Sequence, residues 1–318
     1  MEARRPPAAI LREAGLAVLP GQIRPREGRA WLVDWRGTPG VLRRMPAPSP
    51  RPLADDVVWR HAFLAGLARL GFPAPRPLPC FDGRSWTAGR GMLWELVSFR
   101  PGHAVRWADE PPLEEIGALL ARYHAAARRV PMASQRPGAL PLADVPDVLL
   151  SPQLEAAHVG PGQAAAIRGQ AERLARGLVD IGHLTGERVV IHGDFTNDNV
   201  IAAGTPAQVA GVIDFALAHA ETPLADIGYG LWRSGRPRPD ADCLDLSRVQ
   251  RFVAGYADTA RLSADQARAV TVYLHGRGLQ MIAKRVRAGR AEIGMLAQIQ
   301  WTSEQADAVG EALAAAVS

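Results

Sequence analysis

The sequence predicts an α+β fold with two lobes: a small antiparallel sheet at the amino-terminal side and a larger helical lobe after it. Strand patterns concentrate before residue 98, where "RAWLVDW" (29–35) alternates, "RGTPG" (36–40) has turn chemistry and "VLRRM" (41–45) resumes the strand. Helical periodicity dominates afterwards, interrupted by one block of short strands at 189–215. The 318 residues permit one large domain or two modest ones. From the change in pattern we expect two, at 1–98 and 99–318.

One helix is expected within the first hundred residues. Asp55 and Asp56 are placed at its start, and its apolar stripe is Trp59, Phe63, Leu67 and Leu70 at helical spacing. The segment "GMLWELVSFRPG" (91–102) indicates a buried strand that ends at a Pro-Gly turn.

The second predicted domain is mostly helical. Long helices are expected over 111–130 and 161–182, and the proline-rich residues 131–152 between them predict a surface loop. Four more helical segments follow the strand block. We find no internal repeat.

Composition excludes several classes of protein. The net charge of +5 comes without a basic stripe interleaved with aromatic residues, so no nucleic-acid partner is expected. No apolar run is long enough to span a membrane, and the amino terminus is not a secretory signal. Cys80 and Cys243 fit no metal spacing and indicate a reduced, cytoplasmic protein. The oligomeric state, monomer or homodimer, stays open.

The basic residues are almost all arginine, as is typical of a GC-rich genome. Lys284 is the one lysine in the chain. Any chemistry that commonly uses a lysine elsewhere must therefore be carried out by arginine.

The block "HGDFTNDN" (192–199), followed by "IDF" (213–215), concentrates the polar residues with chemical potential. A predicted hairpin joins Asn199 to Asp214 and folds its two ends together. An amide oxygen and a carboxylate at one point suit Mg²⁺ that is held jointly with substrate phosphates. Asp194 lies near that position and remains able to act as a base.

This pattern, His-x-Asp-x-x-x-x-Asn followed by an Asp at the end of a hairpin, resembles the aminoglycoside phosphotransferase and choline kinase family. The later "ETPLADIGYGLW" (221–232) strengthens the resemblance. It implies a bilobal protein-kinase-like fold, with nucleotide bound by 1–98 and with the catalytic loop and acceptor site in 99–318. It also implies ATP, with GTP as an alternative, Mg²⁺, and transfer of the γ-phosphate to a hydroxyl of a small molecule.

The resemblance also implies residue roles. Asp194 would accept the proton of the acceptor hydroxyl, and Asn199 and Asp214 would bind Mg²⁺. His192 would brace the loop by hydrogen bonds, and Asp226 would receive donors of the catalytic loop from beneath. Asp226 is equally explained as a simple helix N-cap.

Four neighbours of these residues have simpler explanations. Asn197 and Asp198 are expected to form the loop and not to bind ligand. His219 and Glu221 either face the acceptor or belong to a solvated loop, and we favour the loop.

The nucleotide end departs from the family twice. The family's basic residue on the third strand corresponds here to Arg43, with Arg44 as second choice, because arginine suits phosphate oxygens. The family's helix glutamate is missing, and Arg60 occupies its place. Asp55 or Asp56 could pair with Arg43 instead, although two adjacent acids at a helix start are also what the helix macrodipole favours.

Two further nucleotide contacts follow from the resemblance. The phosphate-covering loop contains a single glycine, Gly28, so its signature is weak. The backbone near Val97, Ser98 and Arg100 is expected to meet the adenine.

The charge of the helical lobe bears on the acceptor. Residues 221–318 contain 11 acidic and 12 basic side chains, so there is no acidic excess for a polycationic antibiotic. A neutral or anionic hydroxyl compound fits better. The first hypothesis is a small-molecule kinase, with an antibiotic as a candidate acceptor, and the second is a metabolic kinase of the homoserine or choline type. A nucleotide-binding pseudokinase regulator is the alternative of another class.

Overall fold

The chain adopts the predicted α+β structure, and its contacts divide it into two compact units. The computed structural model describes residues 8–19, 30–46, 50–89, 92–106, 112–132, 135–205, 207–290 and 294–317. The first unit comprises the described residues of Met1–Gly102, Val130–Gly138 and Gly211–Ile213. The second comprises those of His103–Arg129, Ala139–Ala210 and Asp214–Ser318.

A five-stranded antiparallel sheet forms the first unit. Its strands are β1 (Ala17–Val18), β2 (Ala30–Trp35), β3 (Thr38–Pro46), β4 (Trp86–Gly89) and β5 (Met92–Ser98), in the order β1-β2-β3-β5-β4. The predicted β2–β3 hairpin turns tightly at Arg36 and Gly37, both with positive φ. The Asp34 side chain accepts a hydrogen bond from the Gly37 N–H at 2.7 Å, which fixes this turn.

Two helices belong to this unit, α1 (Ala8–Ala14) and α2 (Pro50–Arg69). The expectation of a single helix beginning at Asp55 was wrong, because α2 begins five residues earlier and α1 had not been predicted. The prolines before Asp55 suggested a loop, but the first turn of a helix tolerates proline. Helix α1 and the sheet contribute buried apolar side chains to one core cluster. Its members include Ile10, Ala14, Leu16, Trp31, Val33, Leu42, Trp94 and Leu96.

Nine helices are described in the second unit. They are α3 (Leu113–Ala127), α4 (Val145–Leu150), α5 (Gln153–Ala156), α6 (Pro161–Asp180), α7 (Pro223–Ser234), α8 (Leu246–Ala257), α9 (Ala264–Arg287), α10 (Leu296–Glu304) and α11 (Ala306–Ala315). The expected surface loop at 131–152 was wrong in part, since α4 lies within it and buries Val145, Val148 and Leu149. Proline at the start of α4 is compatible with a helix and misled the sequence analysis.

Two small sheets carry the polar block. Strands β7 (Val189–Ile191) and β10 (His219–Glu221) form an antiparallel pair. Strands β6 (His103–Ala104), β8 (Val200–Ala203) and β9 (Gln208–Val212) form a three-stranded sheet in the order β6-β8-β9.

Helices α3 and α8 pack so closely that their backbones come into contact at two glycines. A Cβ atom added at Gly117 would lie 2.0 Å from the carbonyl oxygen of Phe252, and one added at Gly255 would lie 2.0 Å from that of Glu114. Any larger residue at either position would force the helices apart. This close packing lets His124 of α3 reach the hydroxyl of Tyr256 on α8, at 2.9 Å from its Nδ1. Within the described residues, no helix has the length and apolar character that crossing a bilayer requires.

Candidate active site

The predicted catalytic loop follows β7 directly. Gly193 has φ +73°, and a Cβ atom there would lie 2.4 Å from the carbonyl oxygen of Leu217, so this turn requires glycine. The next residue, Asp194, presents a side chain that is 33% exposed. The loop ends in a single 3-10 turn, Asn197–Asn199.

Asp226 holds the backbone of this loop. Its Oδ2 accepts a hydrogen bond from the N–H of His192 at 2.8 Å, and its Oδ1 accepts one from the N–H of Gly193 at 2.9 Å. His124 Nε2 lies 3.1 Å from the same carboxylate. Burial alone would raise the pKa of Asp226, but the hydrogen bond from His124 and the charge interactions outweigh it and lower that pKa. The carboxylate therefore remains charged although it is fully buried.

The simple N-cap explanation of Asp226 was wrong. Thr222 is the N-cap of α7, and its hydroxyl accepts a hydrogen bond from the N–H of Leu224 at 3.4 Å.

His192 braces the loop from the buried side. Its Nδ1 accepts a hydrogen bond from the N–H of Asp194 at 3.3 Å. Its ring packs edge-on against Phe215, with centroids 4.7 Å apart, and against Tyr123. The hydroxyl of Tyr123 donates to the carbonyl of Val190 at 2.8 Å, which ties α3 to β7.

Asp194 and Asn199 lie together. The Nδ2 of Asn199 donates to the backbone oxygen of Asp194 at 2.8 Å and to its Oδ2 at 3.1 Å. Both hydrogen bonds use the Nδ2 of Asn199, and its amide oxygen takes no part in them. The intervening polar residues are structural, since Asn197 donates to the carbonyl of Val105 at 3.4 Å and Asp198 pairs with Arg233.

Asp214 adopts a left-handed backbone conformation, with φ 64° and ψ 66°. Its Oδ1 accepts a hydrogen bond from the N–H of Ala216 at 3.4 Å and caps the short turn Phe215–Leu217. Aspartate tolerates this region better than most residues do, yet such conformations concentrate at functional sites.

The side-chain oxygens of Asn199 and Asp214 are suited to bind a hard cation that phosphate oxygens also coordinate. In the described part of the chain, no group of three or more His, Cys, Asp and Glu side chains could hold a metal ion without such help.

His219 and Glu221 do not lie in a solvated loop, so that expectation was wrong. They belong to β10, where His219 pairs with Ile191 and is buried. The Nδ1 of His219 lies 2.8 Å from the carbonyl of Leu217. Burial lowers the pKa of His219 to about 4, so the ring is neutral at pH 7. Burial raises the pKa of Glu221, whose carboxylate accepts a hydrogen bond from the N–H of Leu142 at 3.1 Å.

In the first unit, Arg43 of β3 is paired with an acid, but not with one of the predicted acids. It lies opposite Glu95 of β5 in the sheet register, with 3.6 Å between Nη1 and Oε1. Asp55 is exposed, and Asp56 instead pairs with Arg136 and approaches Arg60. The expectation that Asp55 or Asp56 pairs with Arg43 was therefore wrong.

Glu95 is the centre of a buried ion cluster. Arg60 of α2 donates from Nη1 to both carboxylate oxygens, at 3.2 and 3.0 Å, and His61 Nε2 lies 2.9 Å from Oε2. Burial raises the pKa of Glu95, but the Arg60 guanidinium, the His61 hydrogen bond and Arg43 outweigh it and hold that pKa well below its usual range. The strand supplies the acid and the helix supplies a cation, which reverses the arrangement expected from the family.

The other predicted nucleotide residues occupy different surroundings. Arg44 is half-buried and lies opposite Trp94 in the sheet register. Val97 is buried. The N–H of Ser98 donates to the carbonyl of Arg76, and Ser98 Oγ accepts from the N–H of Arg76. Ser98 and Arg100 line a cavity of about 450 Å³ in the first unit. Gly28 lies outside the described residues.

Sequence reasoning missed three contributors: Glu95, His124 and Arg277. The Nη2 of Arg277, on α9, donates to Asp194 Oδ1 at 3.1 Å, although 83 residues separate the two in sequence. Glu95 interrupts the apolar run "LWELV", and that interruption was the available signal for a buried acid.

Comparison with curated proteins places the chain near homoserine kinases. It is 26% identical over 236 residues to the homoserine kinase of Rhizobium meliloti (strain 1021), and the aligned region covers 73% of this chain and 68% of that protein. It is 28% identical over 235 residues to the homoserine kinase of Beijerinckia indica subsp. indica, which covers 73% and 69%.

Solved structures share the fold. A microcompartment-associated aminopropanol kinase matches with a TM-score of 0.61 and 19% identity, over 95% of this chain and 93% of that one. Amicoumacin kinase, in complex with AMP-PNP, Ca²⁺ and Ami, matches with a TM-score of 0.65 and 15% identity, over 96% and 95%.

A family model, the phosphotransferase enzyme family (APH), matches residues 23–269, which is well over half of the chain. The chain therefore belongs to the phosphotransferase enzyme family, has the protein-kinase-like fold that its motifs imply, and is a small-molecule kinase.

Proposed function

We propose that this kinase transfers the γ-phosphate of Mg·ATP to the hydroxyl of a small amino-acid alcohol of the homoserine type. One observation carries the proposal: Asp194 stands at the exposed edge of a loop that Asp226 and Asn199 hold by hydrogen bonds. A partly exposed carboxylate on a rigid support is suited to orient an alcohol and to take its proton.

The curated relatives support the acceptor class. Homoserine kinases were the second sequence hypothesis, and they now rank above an antibiotic-modifying kinase. The solved antibiotic kinases that match support the fold alone, because their sequence identities are low. Membership of an enzyme family leaves the pseudokinase alternative without support.

Each residue has a distinct task in the proposed reaction. Asp194 would accept a hydrogen bond from the acceptor hydroxyl and take its proton as the new O–P bond forms and the bond from the γ-phosphorus to the β–γ bridging oxygen breaks, which releases ADP. Asn199 and Asp214 would hold Mg²⁺ through their side-chain oxygens. Bound Mg²⁺ neutralises charge on the phosphate oxygens. Arg43, oriented by Glu95, would contact the α- and β-phosphates.

The direct test is turnover with chemically related acceptors. Purified protein would be incubated with Mg·ATP and L-homoserine, L-serine, choline or kanamycin, and both ADP release and the phosphorylated product would be measured. We expect L-homoserine to give the highest kcat/KM. Phosphorylation of kanamycin in preference to every small alcohol would restore the antibiotic hypothesis. ATP binding without transfer to any acceptor would contradict the proposed function.

Replacing Asp214 by asparagine is expected to weaken binding of Mg·ATP at least about tenfold, as loss of metal-site support commonly does. Asparagine tolerates the left-handed backbone, so the substitution removes charge without adding strain. Calorimetric titration of ATP with and without Mg²⁺ measures the effect. Asp82→Asn is the matched control, because Asp82 is exposed and also has positive φ. Equal Mg²⁺ dependence in wild type and Asp214→Asn would remove Asp214 from the metal site.

A further inference from the structure

We propose that one face of α9, formed by Arg277, Gln280 and Lys284 and here called the α9 cation face, binds a carboxylate of the acceptor. It would thereby select hydroxylated acids over uncharged alcohols. The inference rests on the proposed function, because it takes Asp194 as the group that meets the acceptor hydroxyl.

The α9 cation face begins at the proposed base. Arg277, Gln280 and Lys284 follow one another at i, i+3 and i+7, which places them on one side of the helix. The guanidinium of Arg277 is 3.1 Å from Asp194 Oδ1. From there the face extends over roughly 10 Å along the helix. A compact molecule that carries a hydroxyl and a carboxylate a few carbons apart matches this span.

Two cations share one neutral oxygen in this face. Gln280 Oε1 accepts from Arg277 Nη1 at 2.7 Å and lies 3.5 Å from Lys284 Nζ. Gln280 is fully buried, and its Nε2 donates to the carbonyl of Leu140 at 2.7 Å, which fixes the orientation of the amide. The amide oxygen of Gln280 carries no formal charge, so it orients both side chains, while the charge of Arg277 is paired with the carboxylate of Asp194.

Arg277 is held firmly for a residue of its length. Its side chain is 5% exposed, and its guanidinium lies 4.8 Å from the ring centroid of Tyr229. Its ion pair with Asp194 joins the cation face to the proposed base. A preorganised guanidinium loses little conformational entropy on binding an anion, which favours recognition of a carboxylate.

The positive charges of the α9 cation face also act on the neighbouring strand β10. After burial, which is the largest cause, the charges of Lys284 and Arg277 also lower the pKa of His219 on β10. Lys284 and Arg277 therefore act on the side of β10 where His219 lies, and Asp226 acts there in the opposite direction. A carboxylate at this point would be attracted by Lys284 and Arg277.

Lys284 also stands out chemically, because every other basic side chain apart from histidine is an arginine. Its ammonium is a compact charge on a flexible stem, unlike the planar fork of arginine. Lys284 is half-buried, whereas Arg287, one turn further along α9, is exposed. The two positions offer a matched pair for mutagenesis.

The test compares L-homoserine with L-homoserine amide, which differ in the charge at the carboxyl carbon. Calorimetric titration in the presence of Mg·ADP would measure both affinities in wild type, Lys284→Met, Lys284→Arg and Arg287→Gln. We expect wild type to bind the acid at least about tenfold more tightly than the amide, as one charge-assisted contact gives. Lys284→Met should abolish most of this preference, whereas Lys284→Arg and Arg287→Gln should keep it.

The opposing outcomes are equally specific. Equal affinity of wild type for acid and amide, or no binding of either, would overturn the inference. Phosphorylation of the amide as efficiently as the acid would do so as well, while leaving the proposed phosphotransferase activity intact. Absence of transfer to every acceptor, together with preserved acid selectivity in binding, would count against the proposed reaction and not against the cation face.

Arg277 needs a separate experiment, because a guanidinium beside Asp194 could also contact the transferred phosphoryl group. If Arg277 reads the carboxylate, Arg277→Met should raise KM for the acid far more than KM for the amide. An equal fall in kcat for both acceptors, with the acid preference unchanged, would assign Arg277 to the phosphoryl group and contradict its place in the cation face. Thermal melting of each variant checks that it is folded.

Discussion

Asp194→Asn is expected to lower kcat by about 10²–10⁴, the loss typical of removing a general base. Asparagine keeps the shape of the side chain but cannot take the acceptor proton. ATP affinity should change much less, because Asn199 and Asp214 are the groups proposed to hold the metal. Steady-state kinetics with L-homoserine, combined with titration of Mg·ATP, separates the two effects.

The control for Asp194→Asn is Asp198→Asn, in the same loop. Asp198 pairs with Arg233, so its loss removes an ion pair at the loop without touching the proposed base. We expect its kcat to stay within a few-fold of wild type. Comparable losses from both substitutions would show that damage to the loop, and not loss of a base, explains the effect.

Glu95→Gln is expected to destabilise the folded protein by about 3–5 kcal/mol, the usual cost of removing one partner of a buried ion pair. Glutamine leaves Arg60 buried with no negative charge opposite its Nη1. The free energy of unfolding from urea titration measures this loss. The exposed Asp55→Asn on α2 is the matched control and should change stability little.

The same variant tests the nucleotide site independently of stability. Because Glu95 also pairs with Arg43, Glu95→Gln should raise KM for ATP at temperatures where the protein is folded. The double variant Arg60→Met/Glu95→Gln removes both buried charges and should recover part of the lost stability while KM for ATP stays high. Unchanged KM in both variants would mean that Glu95 does not position Arg43 for nucleotide.

The sign of the pH effect at Glu95 follows from its lowered pKa. A carboxylate with a depressed pKa in the folded state stabilises the fold above its unfolded pKa of about 4.3. That contribution decreases as the pH falls below this value, because the folded state must then bind a proton against Arg60 and Arg43. Glu95→Gln should therefore be less sensitive than wild type to acid between about pH 4 and pH 2.

Local sequence patterns were sufficient for the fold class and for placing Asp194 and Asn199 in one loop, whose catalytic roles stay predictions. Asp194 and Asn199 are five residues apart, so a single loop brings them together, and the structure shows their side chains in contact. The strand β7 also carried a local signal, because its three residues are all apolar and the structure buries all three.

Contacts across long sequence separations were not predictable in the same way. Arg60 and Glu95 are 35 residues apart, and Arg277 and Asp194 are 83 apart. No periodicity relates them, because strand pairing and helix packing decide which charges meet. The missing helix glutamate indicated that Arg43 has another acidic partner. Asp55 and Asp56 were considered because they lie near Arg43 in sequence, whereas Glu95 is further away.

Proline misled the sequence analysis twice for one reason. The segments before Asp55 and at 131–152 contain several prolines, which we interpreted as loops. Proline excludes a helix interior but favours its first turn, and α2 and α4 both begin with it or next to it. Counting prolines without asking which turn they occupy therefore shortens or removes real helices.

The single lysine makes this enzyme unusually simple to label. Amine-directed reagents, such as formaldehyde with a mild reductant, would modify Lys284 and the α-amino group and no other side chain, because arginine does not react in this way. Isotopic methyl groups introduced there would give one side-chain resonance beside the proposed acceptor site. Its chemical shift would report occupancy directly in solution, without any engineered cysteine.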